Sequence, residues 1–272
     1  MSSDTSPAGG LTTFDTEPLE RALTESLDVF SGLTADEMEA PSACDGWTVR
    51  TTLAHLTAGV AAITGQLPAV PYDKNKEFEA AVDAQALDLA ARPAAELLEI
   101  LRSASPALVN IFASLPDDFA AMPVDMGTAG TYPFASLADA LTFDHTCHVR
   151  WDVLTPRGQV RRTLPDLDAG RLSASLRWLT GCIPQMTTER FRDLLTDPLT
   201  FILTGPGAAT FRLTPHAASV ETSTDEPTRA TVKSTTSDFI LWGTGRESRQ
   251  GRVKITGDVA YAERALDAFR VY

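Results

Sequence analysis

One stretch, Phe143-Asp144-His145-Thr146-Cys147-His148-Val149-Arg150-Trp151-Asp152, constrains this chain more than any other. Leu137 and Leu141 begin an apolar helical stripe, and Asp144 and His148 continue it at three- and four-residue steps. A carboxylate and an imidazole thus occupy positions where an amphipathic helix buries leucine. Burying such groups is costly unless each finds a hydrogen bond, an opposite charge or a metal ion. The fold must bring a partner to this face.

Asp144 and His148, four residues apart, project the same way with Cβ atoms roughly 6 Å apart. A histidine from a facing helix would make three ligands and leave a coordination position open, the pattern of a catalytic zinc site. Helix bundles host metals in this way, and a mixed nitrogen and oxygen set suits Zn²⁺ or another first-row divalent ion. The same spacing also describes a plain hydrogen-bonded Asp–His pair. His145 and His148, three residues apart, form a rival pair, although His145 lies off the stripe and reads as exposed or as a support behind a ligand. The chain has 4 histidines. The other two are His55, at the margin of an earlier apolar stripe, and His216, beside Pro215 in a turn.

Helical periodicity runs from Asp15 to Leu33, from Thr48 to Gln66 and from Pro93 through Phe112, where Pro106 is expected to kink or divide the helix. Lys74 to Ala91 is alanine-rich and reads as a lightly packed helix. Ala35 to Gly46 and Met122 to Pro133 read as loops, and the helix bearing Asp144 and His148 runs from Ala135 to Leu154. Four main amphipathic helices suggest an up-and-down bundle. After the breaker-rich, basic segment Thr155–Arg162 the pattern changes. Helices at Asp168–Thr180 and Thr188–Thr196 precede alternating strands at 199–203, 209–213, 218–221, 230–233 and 252–255, and a helix at Val259–Phe269 closes the chain. The expected organisation is a disordered tail over residues 1–13, a helix bundle over 14–155 and a smaller α+β domain over 165–272.

Composition narrows the function. A net charge of −13 argues against nucleic acid and anionic membranes. No run approaches the roughly 20 apolar residues of a membrane-spanning helix. The first ten residues have neither a basic nor an apolar segment, so no signal peptide is expected. Cys44, Cys147 and Cys182 show no CxxC spacing and suggest a reduced, cytoplasmic protein in which they pack rather than react.

The segment Cys44-Asp45-Gly46-Trp47-Thr48-Val49-Arg50-Thr51-Thr52-Leu53-Ala54-His55-Leu56 resembles the GWTVRDLLAHL signature of the mycothiol-dependent maleylpyruvate isomerase family, a branch of the DinB-like metal proteins. The resemblance implies a DinB-like bundle followed by a domain similar to sterol carrier protein 2. It implies that His55, Asp144 and His148 hold Zn²⁺ or another divalent ion. Trp151-Asp152 resembles the family's HxWD ending but lies one residue further from the histidine, which leaves open whether Asp152 or His145 takes the place of Asp144. Gly245-Arg246 and Ile255-Thr256-Gly257-Asp258 resemble the end of the second domain, and Arg246 matches a functional arginine, here a candidate for holding a substrate carboxylate. The implied partners are mycothiol, as thiol cosubstrate, and a small electrophile, with cis–trans isomerisation or thiol transfer as the chemistry. A non-catalytic metal- or thiol-binding sensor and a metal-dependent hydrolase are the other functions such a site could serve.

Overall fold

The computed structural model describes residues 15–69, 77–215, 218–222 and 227–271. The expectations for residues 1–13 and for His216 lie outside them. Helix α1 (Glu17–Ser31) buries Leu19, Leu23, Val29 and Phe30, with Pro18 in its first turn where a missing N–H costs nothing. Thr34 accepts from the Glu37 backbone and the Glu37 carboxylate returns to the Thr34 N–H, a capping box that starts α2 (Ala35–Glu39). A short helix thus stands where a loop is expected from the Pro, Ser and Gly content.

Thr48 caps α3 (Val49–Ile63), accepting from the Thr51 N–H at 3.2 Å. Helix α4 (Phe78–Leu89) buries only Ala86 and Leu89. Helix α5 (Ala94–Ala113) runs undivided through Pro106. That proline lies on the exposed face, while Leu101, Ala104, Leu108 and Phe112 hold the opposite face in the core. After α6 (Asp117–Ala120), the expected loop is a small hairpin of β1 (Pro123–Asp125) and β2 (Thr131–Pro133) around a 3₁₀ turn at Gly127–Ala129. Helix α7 (Ser136–Cys147) then passes without a break into a π turn over His148–Val153. In the bundle α1 packs on α5 and α7, and α3 packs on the same two helices. Its core gathers Phe30, Leu53, Leu101, Leu108 and Phe112.

The C-terminal part begins with α8 (Ala169–Met186), longer than periodicity suggests because its last turns bury Cys182 and Ile183, followed by α9 (Glu189–Leu194). Strands β3 (Leu199–Thr204), β4 (Ala209–Leu213), β5 (Val220–Glu221), β6 (Ala230–Thr235) and β7 (Lys254–Gly257) form a 5-stranded sheet in the order β5-β4-β3-β6-β7. Only the β3–β6 pair is parallel. Phe201 and Phe211 face each other across β3 and β4, rings stacked at 4.9 Å. Helix α10 (Thr236–Gly243), unmarked by periodicity, and α11 (Val259–Leu266) complete this part.

Helix α7 joins the two cores. Leu141 belongs to the bundle core, while Ala140, Phe143 and Cys147 belong to the sheet core. With α1, α3 and α8 all packed against it, α7 has no broad solvent face. No helix among the described residues is long and apolar enough to cross a membrane.

Candidate active site

The loop before α3 carries the first component. Gly46 adopts a φ of +75°, a turn that a side chain would strain. The Ala43 N–H donates to the Asp152 carbonyl at 2.7 Å, which pins this loop against the π turn. Cys44 and Trp47 are thereby brought beside His148: Cys44 Sγ lies 3.6 Å from His148 Nδ1, and the Trp47 ring stacks on the imidazole at 5.9 Å. His55, two turns into α3, meets His148 edge-on at 5.0 Å and Trp47 at 5.1 Å.

Asp144 near the end of α7 and His148 at the start of the π turn are one turn apart and point to the same side. Ligand-type atoms of His55, Asp144 and His148 all lie within 4.8 Å of one another. A second such group is Cys44, His148 and Asp152. Chemistry separates the two. Asp152 is already committed, accepting from His148 Nδ1 at 3.0 Å and from Arg246 Nε and a terminal nitrogen at 3.0 and 2.9 Å. No described residue donates a hydrogen bond to Asp144. A carboxylate bonded to His148 Nδ1 fixes that N–H and turns the Nε2 lone pair outward, the arrangement that supports a metal-binding histidine from behind.

The extra residue between His148 and Asp152 is absorbed by the π turn. There the Leu154 N–H reaches five residues back to the Val149 carbonyl at 3.2 Å, rather than four. The wider turn keeps Asp152 beneath His148. Of the alternatives left open by the sequence, the structure places Asp144, not Asp152 or His145, with His55 and His148. His145 is not exposed: it is 1% accessible, and its Nδ1 shares a 2.8 Å hydrogen bond with Ser26 Oγ on α1. The packing of α7 on three sides is the reason.

Arg246 arrives from the other core. Its N–H bonds to the Leu241 carbonyl at 2.9 Å and the Gly245 N–H to the Trp242 carbonyl at 3.1 Å, with Gly245 at a φ of +70°. This paired closure is a Schellman motif, and glycine is the residue that satisfies it. It ends α10 and throws the Arg246 side chain onto Asp152. The guanidinium borders a cavity of about 330 Å³ shared with His55, Asp144, His148, Trp47 and Phe143.

Electrostatics follow from this burial. Burial, helped by the positive fields of His148, His145 and Arg246, drives the His55 pKa well below its usual value, so His55 is a neutral ligand-type imidazole at pH 7. Burial raises Asp144 to about 6, opposed by His148 and Arg246. For His148 burial disfavours the charged ring, but the Asp152 hydrogen bond outweighs it and the pKa is raised. Burial would raise Asp152 too, and His148 and Arg246 hold it below the carboxylate range. At the rim, Glu79 on α4 is pushed up to about 7 by crowding and then by Asp144 and Asp83, a push that its solvent exposure damps.

Sequence reasoning missed Glu79 and Asp83, which also border the cavity. Their four-residue spacing on α4 marks a shared face, but nothing local says that the face turns toward the site.

Residues 19–154 match the family described as the mycothiol maleylpyruvate isomerase N-terminal domain, and residues 160–264 match its C-terminal domain. The chain belongs to this isomerase family. Its fold is similar to that of the crystallised mycothiol-dependent maleylpyruvate isomerase at a TM-score of 0.53, and to a histidine-to-alanine mutant of that isomerase at 0.55. Each match is 16% identical and covers 90% of this chain and 92% of the other. No curated protein sequence matches the chain. The isomerase-family signature of the sequence falls on the loop and first turns of α3 that carry Trp47 and His55.

Proposed function

We propose that this chain is a metal- and mycothiol-dependent enzyme that adds a thiol to a small electrophile, in cis–trans isomerisation of a polarised double bond or in thiol transfer. One observation carries the reading: His55, Asp144 and His148 converge on the wall of a cavity, and Asp144 is a half-buried carboxylate without a donor. Two imidazoles and a carboxylate fit a zinc-type ion with a coordination position left for an exogenous ligand. Such an ion, held by these three residues, would stabilise a thiolate at neutral pH.

The chain's own residues supply the rest. Asp152 holds His148 in the tautomer that presents Nε2, and Arg246 holds Asp152. Trp47 packs the two imidazoles, and Phe143 adds an apolar ring to the cavity lining. In isomerisation the thiolate sulfur bonds to one alkene carbon, and the π electrons move toward the conjugated carbonyl oxygen. The single bond rotates, and expulsion of the thiolate restores a trans double bond with no net oxidation. Arg246, while still held on Asp152, would lend its positive field to the cavity in which negative charge develops. Absence of any disulfide among the three cysteines fits a cytoplasmic enzyme.

Metal analysis of the purified protein beside His148→Ala, paired with turnover with and without mycothiol, tests this function. About one equivalent of divalent metal, lost in the variant, together with thiol-dependent turnover, is the expected result. Thiol-independent hydrolysis would replace the proposal with water activation, and metal-free protein after reloading would refute it.

A further inference from the structure

We propose that the electrophile this pocket takes is uncharged and apolar, not a dicarboxylate. The inference rests on the thiol-addition reading and goes beyond it to the substrate class.

The first ground is the state of Arg246. Bidentate recognition of a substrate carboxylate uses a forked N–H edge of a guanidinium. Here Nε and a terminal nitrogen of Arg246 already face Asp152 at 3.0 and 2.9 Å, and Arg157 stands 3.7 Å from the other Asp152 oxygen. Releasing Arg246 to a substrate would strip a buried carboxylate, 1% accessible, of its guanidinium partner and leave it to His148. Arg246 is also the only arginine or lysine among the described residues that border the cavity.

The second ground is the remaining wall. Asp45, Glu79, Asp83 and Asp144 also border the cavity. A divalent ion on His55, Asp144 and His148 would still leave the carboxylates in excess. A dianion entering between Asp45 on the α3 loop and Glu79 and Asp83 on α4 meets like charge at the mouth and, within, one guanidinium already paired with Asp152. The third ground is apolar. Phe78, Met126, Phe143, Trp178 and Met186 supply rings and thioethers that favour an uncharged, flat or flexible ligand.

Maleate and dimethyl maleate test the proposal, because they share the cis double bond and differ by two charges. With the zinc-loaded protein and mycothiol, each rate is divided by the uncatalysed rate with the same thiol. The expected acceleration is at least tenfold greater for the diester, about 1.4 kcal/mol. The double variant Glu79→Gln/Asp83→Asn narrows the gap threefold or more, as does 1 M salt, because these rim charges are exposed and screened. An equal or greater acceleration of the dianion, or a gap that ignores the double variant, overturns the inference. Failure of the thiol reading is separate: neither compound is accelerated. Binding of the unreactive pair succinate and dimethyl succinate, followed by tryptophan fluorescence from Trp47 and Trp178, then decides. Diester binding at least tenfold tighter upholds the charge preference, and equal or tighter succinate binding refutes it.

Discussion

On the face of α7 turned toward α1, His145 is sealed at 1% exposure with its Nδ1 on Ser26 Oγ at 2.8 Å. Three residues further on, His148 opens onto a cavity with His55 and Asp144 and is braced from behind by Asp152 and Arg246. Both imidazoles sit on one continuous helical segment, yet burial pushes His145 down to about 3, whereas Asp152 raises His148. The contrast shows that burial alone does not make a site. A histidine tied to one neutral hydroxyl and closed off from open volume is structural, and one aimed with a carboxylate at open volume is poised for a ligand.

Removing a histidine from each side gives the largest expected difference. If His55, Asp144 and His148 hold a metal as proposed, His55→Ala should lose it almost completely and fall to the background rate of the free thiol, because two remaining ligands hold a zinc-type ion weakly. His145→Gln should retain about one equivalent. Metal analysis and thiol-dependent turnover on both proteins check this, and equal loss from both would erase the distinction between the two faces.

Asp152→Asn sharpens the comparison from behind. The amide keeps the volume but offers Arg246 no charge and holds the His148 N–H more weakly. Disturbing such a support costs roughly 10- to 100-fold in metal affinity. A competition titration against a coloured chelator measures it, and an unchanged affinity would mean that His148 needs no brace.

The bundle was legible because its signals are local. Leu19, Leu23, Leu27 and Phe30, or Leu97, Leu101, Leu108 and Phe112, repeat at helical spacing wherever the helix ends up. Asp144 and His148 were legible for the same reason, since polar residues stood in an apolar stripe. The π turn was not, because a 3.6-residue pattern cannot register a single widened turn, and the place of Asp152 depends on it. The burial of His145 was misjudged because a stripe assumes one buried face, and α7 is covered on three. Helix α10 carries Phe239, Ile240, Leu241 and Trp242 in an unbroken apolar run, which periodicity cannot distinguish from a buried strand. The Gly245 turn that delivers Arg246 was written in the sequence, but its meaning appears only once Asp152 is opposite.

The smallest expected effect isolates His145 through pH. Its folded pKa is about 3, while the unfolded chain titrates near 6.5. Between these values the unfolded state binds the additional proton, so stability is complete above pH 6.5 and falls as pH drops toward 3. From pH 6.5 to pH 5 the loss approaches about 2 kcal/mol, at about 1.4 kcal/mol per unit. Asp144 works the other way. Raised to about 6 when folded against roughly 3.9 unfolded, it lowers stability as pH rises across that window, and so partly masks the histidine in the metal-free protein. The difference between wild type and His145→Gln removes the mask, because Asp144 is common to both. Urea unfolding of the two metal-free proteins at pH 7 and pH 5 should show the wild type losing about 2 kcal/mol more than the variant on acidification. Parallel losses would mean that His145 takes up its proton inside the fold, and the sealed side of α7 would then be as open to charge as the cavity side.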